Sequence, residues 1–183
     1  MQQVNSEDAV ILDFWLEKQV LSCWCWAAIA ASIGRFYKTC LLTQQQIAAE
    51  LLNISPSQLS QLDNIDNNNK QLTLDKSLKI AKSYSHWSLG RPSFERILLE
   101  LTMGHPVCVR IEWFTGGAHY LAIKGANPKE KSLYLDDSLN GPSIMSYSDF
   151  PKCYNDIGGV WTETFWTAPN SDNQNDETIS DND

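Results

Sequence analysis

The chain has 183 residues, enough for one domain, or one domain with a tail, that buries roughly two thirds of the surface its unfolded form exposes. Hydrophobic residues make up 43% and charged residues 20%, an ordinary globular composition. The net charge of -8 disfavours nucleic acid, whose phosphates such a chain repels.

The N-terminal "MQQVNSEDAVILDFW" lacks a basic segment followed by an apolar run, so no secretory signal is expected. "CWAAIAASIGRFY" spaces Trp26, Ile29, Ile33 and Tyr37 at helical intervals among alanines, which predicts a buried helix over about 24–37. "TQQQ" is a capping box with Thr43 at the cap and Gln46 three residues on, opening a helix to about Leu52. The Asn-rich stretch at 63–69 is loop chemistry. "LDKSLKIAKSY" predicts a third helix ending near Tyr84, with His86 in the loop beyond it, and Ser93 caps a fourth that Gly104 stops. The pattern then changes. "VCVRIEW" (107–113), "AHYLAIKGA", "SLYLDD", "SIMSY" and "VWTETFWT" (160–167) read as strands with turns between them. A helical first half followed by an antiparallel sheet is an α+β pattern.

The end of the chain, "SDNQNDETISDND", holds five carboxylates and no Lys or Arg, and without them the body has 14 basic and 17 acidic residues. This end has too little apolar content to offset its ordering entropy, so a domain over 1–168 and an acidic disordered tail over 169–183 are expected. The longest apolar stretch, "WAAIAASIG", falls far short of the about 20 residues that span a bilayer. No membrane association is expected. Five cysteines without a dense framework suggest reduced thiols, and hence a cytoplasmic protein or one exported by a signal-independent route.

Cys23 and Cys25 are spaced too closely for a zinc pair, and no second ligand cluster exists. The C-x-x-C dithiol motif is also absent. Cys25 stands at the start of the predicted helix over about 24–37, whose positive end stabilises a thiolate. A nucleophilic cysteine needs a histidine base close in space. His119 has the best context, at a strand start just after Gly116-Gly117, whereas His105 sits in a turn before Pro106. "LYLDDSLNG" offers Asp136 and Asp137 as the carboxylate that orients the imidazole. Gln19, six residues before Cys25, can donate to an oxyanion together with the Cys25 N–H.

In this order the residues resemble the papain-like cysteine proteases, and more narrowly the short bacterial subfamily that includes the plant-pathogen avirulence effector protease. The matching segments are Gln19, "WCWAA" at 24–28, Tyr37, "GGAHYLAIKG" at 116–125, "DSLNGPSIMSYSDF" at 137–150 and "GGVWTETFWT" at 158–167. They span roughly residues 8–168. The resemblance implies a papain-like fold, with a central nucleophile helix packed against the C-terminal sheet. It implies a monomeric cysteine peptidase that hydrolyses a protein or peptide through a thioester, without metal or organic cofactor. Its carry-over makes Cys25 the nucleophile, His119 the base, Asp137 the orienting carboxylate and Gln19 the oxyanion donor. Asp137 is preferred to Asp136 because it occupies the aspartate of a "DP" step, although Ser138 stands where proline is expected. Trp26 would pack behind the nucleophile. The same side chains can also run transamidation, deamidation or maturation of a ribosomal precursor peptide, and a catalytically silent binding module is the non-enzyme alternative.

Overall fold

The structure is a computed structural model that describes residues 8–55, 58 and 69–170. The acidic tail from Ser171 and most of the Asn-rich loop lie outside the described residues.

Helix α1 (Cys25–Tyr37) begins at the nucleophile candidate and is buried along most of its length, from Cys25 through Gly34. Five of its first seven residues are alanine or isoleucine, so neighbouring elements approach it closely on every side. Helix α2 (Gln44–Leu52) carries the expected capping box, with Thr43 accepting from the Gln46 N–H and the Gln46 side chain accepting from the Thr43 N–H. Helix α3 (Leu74–Ile80) ends before its apolar pattern does, because Lys82 takes a left-handed backbone conformation at φ 51°. The residues that extended the pattern turn into a strand, so the stretch around His86 is not the loop the sequence predicted. Helix α4 (Phe94–Thr102) starts at Ser93, whose hydroxyl accepts from the Arg96 N–H.

Seven strands form one antiparallel sheet: β1 (Val10–Ile11), β2 (Tyr84–Leu89), β3 (Val107–Trp113), β4 (Ala118–Asn127), β5 (Ser132–Asp136), β6 (Ser143–Ser146) and β7 (Gly159–Thr167). Their order is β2-β7-β3-β4-β5-β6, and β1 pairs with β4 through Val10 opposite Ala126 and Ile11 opposite Gly125. Strands β1 and β2 went unrecognised in the sequence. The first has two residues, and the second earns its conformation from the partner strand, with Trp87 opposite Phe165.

The sheet is covered on both faces. Cys108, Tyr120, Ala122 and Phe165 pack with α1, while Val107, Val109, Ile111, Leu121 and Ile123 pack with Phe94, Ile97 and Leu101 of α4. The cover on the α1 side ends partway along β3: Cys108 is buried, Arg110 is half-buried and Glu112 is exposed. That uncovered end of the sheet lies beside the start of α1. The architecture is α+β, with α1 against an antiparallel sheet.

Candidate active site

Cys25 is the first residue of α1, and no side chain caps that helix N-terminus. Its first turn also contains no acidic residue, so no carboxylate competes for the N–H groups that a thiolate or oxyanion would use. The thiol is almost fully buried and makes a side-chain hydrogen bond with His119. Trp24 and Trp26, both fully buried, flank it with ring centroids 6.0 Å apart. The Trp26 indole N–H donates to the Lys70 carbonyl at 3.0 Å and ties the chain at 69–70 to α1.

His119 comes from the start of β4, buried to 5% exposure. Its Nε2 lies 2.8 Å from Asp137 Oδ1, which leaves Nδ1 for the thiol. Burial pushes the imidazole pKa down, but the hydrogen bonds and negative charges of Asp137 and Cys25 outweigh it and raise the value to about 9. Burial likewise pushes the Asp137 carboxyl up. The His119 hydrogen bond and charge, the Asn140 side chain and the Leu139 N–H reverse that and hold it well below the usual carboxylate range. The result is a buried carboxylate–imidazolium pair beside the thiol.

The two adjacent aspartates separate by strand alternation, which sends neighbouring side chains to opposite faces. Asp136 accepts from Lys124 Nζ at 3.0 Å and from the Leu16 N–H at 3.2 Å, and so holds the N-terminal segment on the sheet. Asp137 turns to His119.

Gln19 is buried against the loop that precedes Cys25. Its Oε1 accepts from the Ser138 hydroxyl at 2.9 Å, and its N–H donates to the Ser138 carbonyl at 3.0 Å. Its Nε2 donates to the carbonyls of Leu21 at 3.0 Å and Ser22 at 2.6 Å. The carboxamide nitrogen therefore faces the loop that enters Cys25, with both of its hydrogens engaged by backbone oxygens. Donation to an oxyanion requires one of these bonds to be shared or released. Ser138, the residue in place of a proline, is what joins Gln19 to the Asp137 turn.

Three contributors had no signal in the sequence. Tyr154 donates its hydroxyl to Asp137 Oδ2 at 2.7 Å, and Asn140 Nδ2 donates to the same oxygen at 2.9 Å. Trp113 stacks on His119 at 6.1 Å and on Tyr154 at 6.0 Å, and covers the charged pair from one side. Tyr154 lies in an irregular loop between strands, where periodicity carries no information. Among the described residues, no group of three or more His, Cys, Asp or Glu side chains gathers to hold a metal ion. None of the described helices is long and apolar enough to cross a membrane.

A sequence model of the Peptidase_C39 like family matches residues 11–162. Curated proteins returned no match. Among solved structures, the chain is similar to a double-glycine-motif protease from an AMS/PCAT transporter, crystallised in complex with the leader peptide. Identity is 16% over 86% of this chain and 93% of that one, with a TM-score of 0.49.

Proposed function

The chain is a cysteine peptidase that belongs to the Peptidase_C39 like family, and from that premise we propose that Cys25, His119, Asp137 and Gln19 hydrolyse a peptide bond through a thioester. The observation that carries this reading is the His119–Asp137 pair at 2.8 Å, with the imidazole pKa raised to about 9 beside Cys25. At neutral pH such an imidazole is protonated, which favours the ion pair of a thiolate with an imidazolium.

In the first half-reaction the Cys25 sulfur attacks the scissile carbonyl. The carbonyl oxygen gains negative charge, and the α1 N-terminus together with the Gln19 carboxamide stabilises it. His119 gives its proton to the leaving amine as the C–N bond breaks. In the second half-reaction the neutral imidazole takes a proton from water, whose oxygen attacks the thioester and releases the acid and the thiol. Asp137 holds the ring in one orientation and one tautomer through both steps. The substrate is a protein or peptide. The narrower likeness to effector-type proteases is part of this proposal and bears on where the enzyme acts, not on its chemistry.

An active-site-directed epoxide, followed by mass mapping of the modified residue, tests the assignment. Labelling of Cys25 that disappears in His119→Ala is expected. Labelling led by the exposed Cys153, unchanged in that variant, would sink it. Incubation with peptides separates hydrolysis from the related chemistries: two fragments that sum to the substrate plus water mean cleavage, whereas a one-unit mass gain or a crosslink means deamidation or transamidation.

A further inference from the structure

A cavity of about 240 Å³ opens where the helical cover of the sheet ends, lined by Thr73, Asp75, Trp87, Tyr120, Glu163 and Phe165. It lies between two layers. Thr73 and Asp75 come from the start of α3, and the other four residues come from β2, β4 and β7.

Several observations tie this cavity to the candidate nucleophile. Tyr120 packs in the same buried cluster as Cys25. The segment 69–73 runs from the nucleophile loop to the cavity. At one end the Cys23 N–H donates to Asn69 Oδ1 at 2.8 Å, and the Lys70 carbonyl holds the Trp26 indole. Further along, Gln71 Nε2 donates to the Ala118 carbonyl at 2.8 Å, one residue before His119. The segment continues into Thr73 at the cavity wall. A chain bound across Cys25 along this segment has the cavity beside it.

The lining selects by charge as well as by shape. Aromatic rings and two carboxylates are the surfaces a cationic side chain prefers, through cation–π attraction and charge-assisted hydrogen bonds. The two carboxylates of the wall are held only loosely by their cations. Lys79 meets Asp75 at 3.3 Å in an exposed pair of the kind that contributes little. Arg110 is shared between Glu163 at 3.7 Å and Glu112 at 3.3 Å.

We propose that this cavity is a substrate subsite that receives a lysine or arginine side chain close to the scissile bond. The inference rests on Cys25 being the nucleophile and adds the substrate class to that reading. Asp75 and Glu163 are its specificity-determining residues.

Cleavage of a proteome-derived peptide library by the wild-type enzyme, with new termini mapped by mass spectrometry, tests it. Lys and Arg should be enriched at one fixed position relative to the cut. The Glu163→Gln, Asp75→Asn double variant should lower kcat/KM for a lysine peptide at least tenfold relative to the matched norleucine peptide. Glu163→Lys should move the preference at that position towards Asp and Glu. Cuts with no basic enrichment, or enrichment that survives all of these substitutions, overturn the subsite and leave the peptidase assignment standing. A wild-type enzyme that cuts nothing in the library overturns both.

Discussion

Asp137 accepts hydrogen bonds from five groups: His119, the N–H groups of Leu139 and Asn140, the Asn140 carboxamide and the Tyr154 hydroxyl. The same carboxylate therefore builds its own turn and orients the imidazole. One residue further on, Ser138 reaches back to Gln19 with both its hydroxyl and its carbonyl. Because the hydroxyl donates to the carboxamide oxygen, it dictates that the nitrogen end faces the loop before Cys25. Ser138→Ala removes that constraint without touching substrate. It is expected to lower kcat several-fold with little change in KM, and Ser138→Thr should restore it; equal effects of both variants on KM would point to a packing role instead. The choice between Asp136 and Asp137 was open on residue type alone. Strand alternation resolves their directions, and Lys124 takes the one that faces away from His119.

Helix α1 is where a local pattern and a site coincide. Its apolar spacing and its alanines were legible in the sequence, because a helix buried on all sides must be apolar or small on all sides. Its first residue, Cys25, is held by that burial against the start of β4. Overpacking the helix should therefore be felt at once. Ala28→Leu, at a fully buried position, is expected to destabilise the fold by about 1–3 kcal/mol, read as a lower urea midpoint with unchanged slope. Strand β2 shows the opposite case. "YSHWSL" lacks an apolar alternation of its own, and the stretch before it continues a helical pattern, so no local rule singles it out. The Lys82 turn and the pairing with β7 decide its conformation.

At the scale of the molecule, the buried pair links folding to pH. The native pKa of His119, about 9, lies above its ordinary value of 6.5. Its contribution to stability is therefore fully present below about pH 6.5 and is lost as pH rises through about 9. Asp137 is shifted the other way: its contribution is present above its ordinary value of 3.8 and is lost as pH falls towards its much lower native value. The Tm of the wild type should fall by several degrees between pH 7 and pH 10. His119→Ala should flatten that alkaline limb, and a limb of the same size in both proteins would assign it to other groups.

The sequence by itself determined the α+β class, the helix that begins at Cys25, the two helix starts capped by Thr43 and Ser93, and the order in which the candidate site residues appear. These are properties of short windows, in which periodicity, capping chemistry and motif spacing are complete without the rest of the chain. Only the tertiary structure decided that Asp137 rather than Asp136 meets His119, that Tyr154 and Trp113 support and cover that pair, that Gln19 is tied to Ser138, and that a cavity lined in part by carboxylates opens between α3 and the sheet. Each of these joins groups far apart in sequence: Gln19 and Ser138 are 119 residues apart. Their partners are chosen by strand register and by where the helical layer stops covering the sheet, and neither quantity exists within any single window of residues.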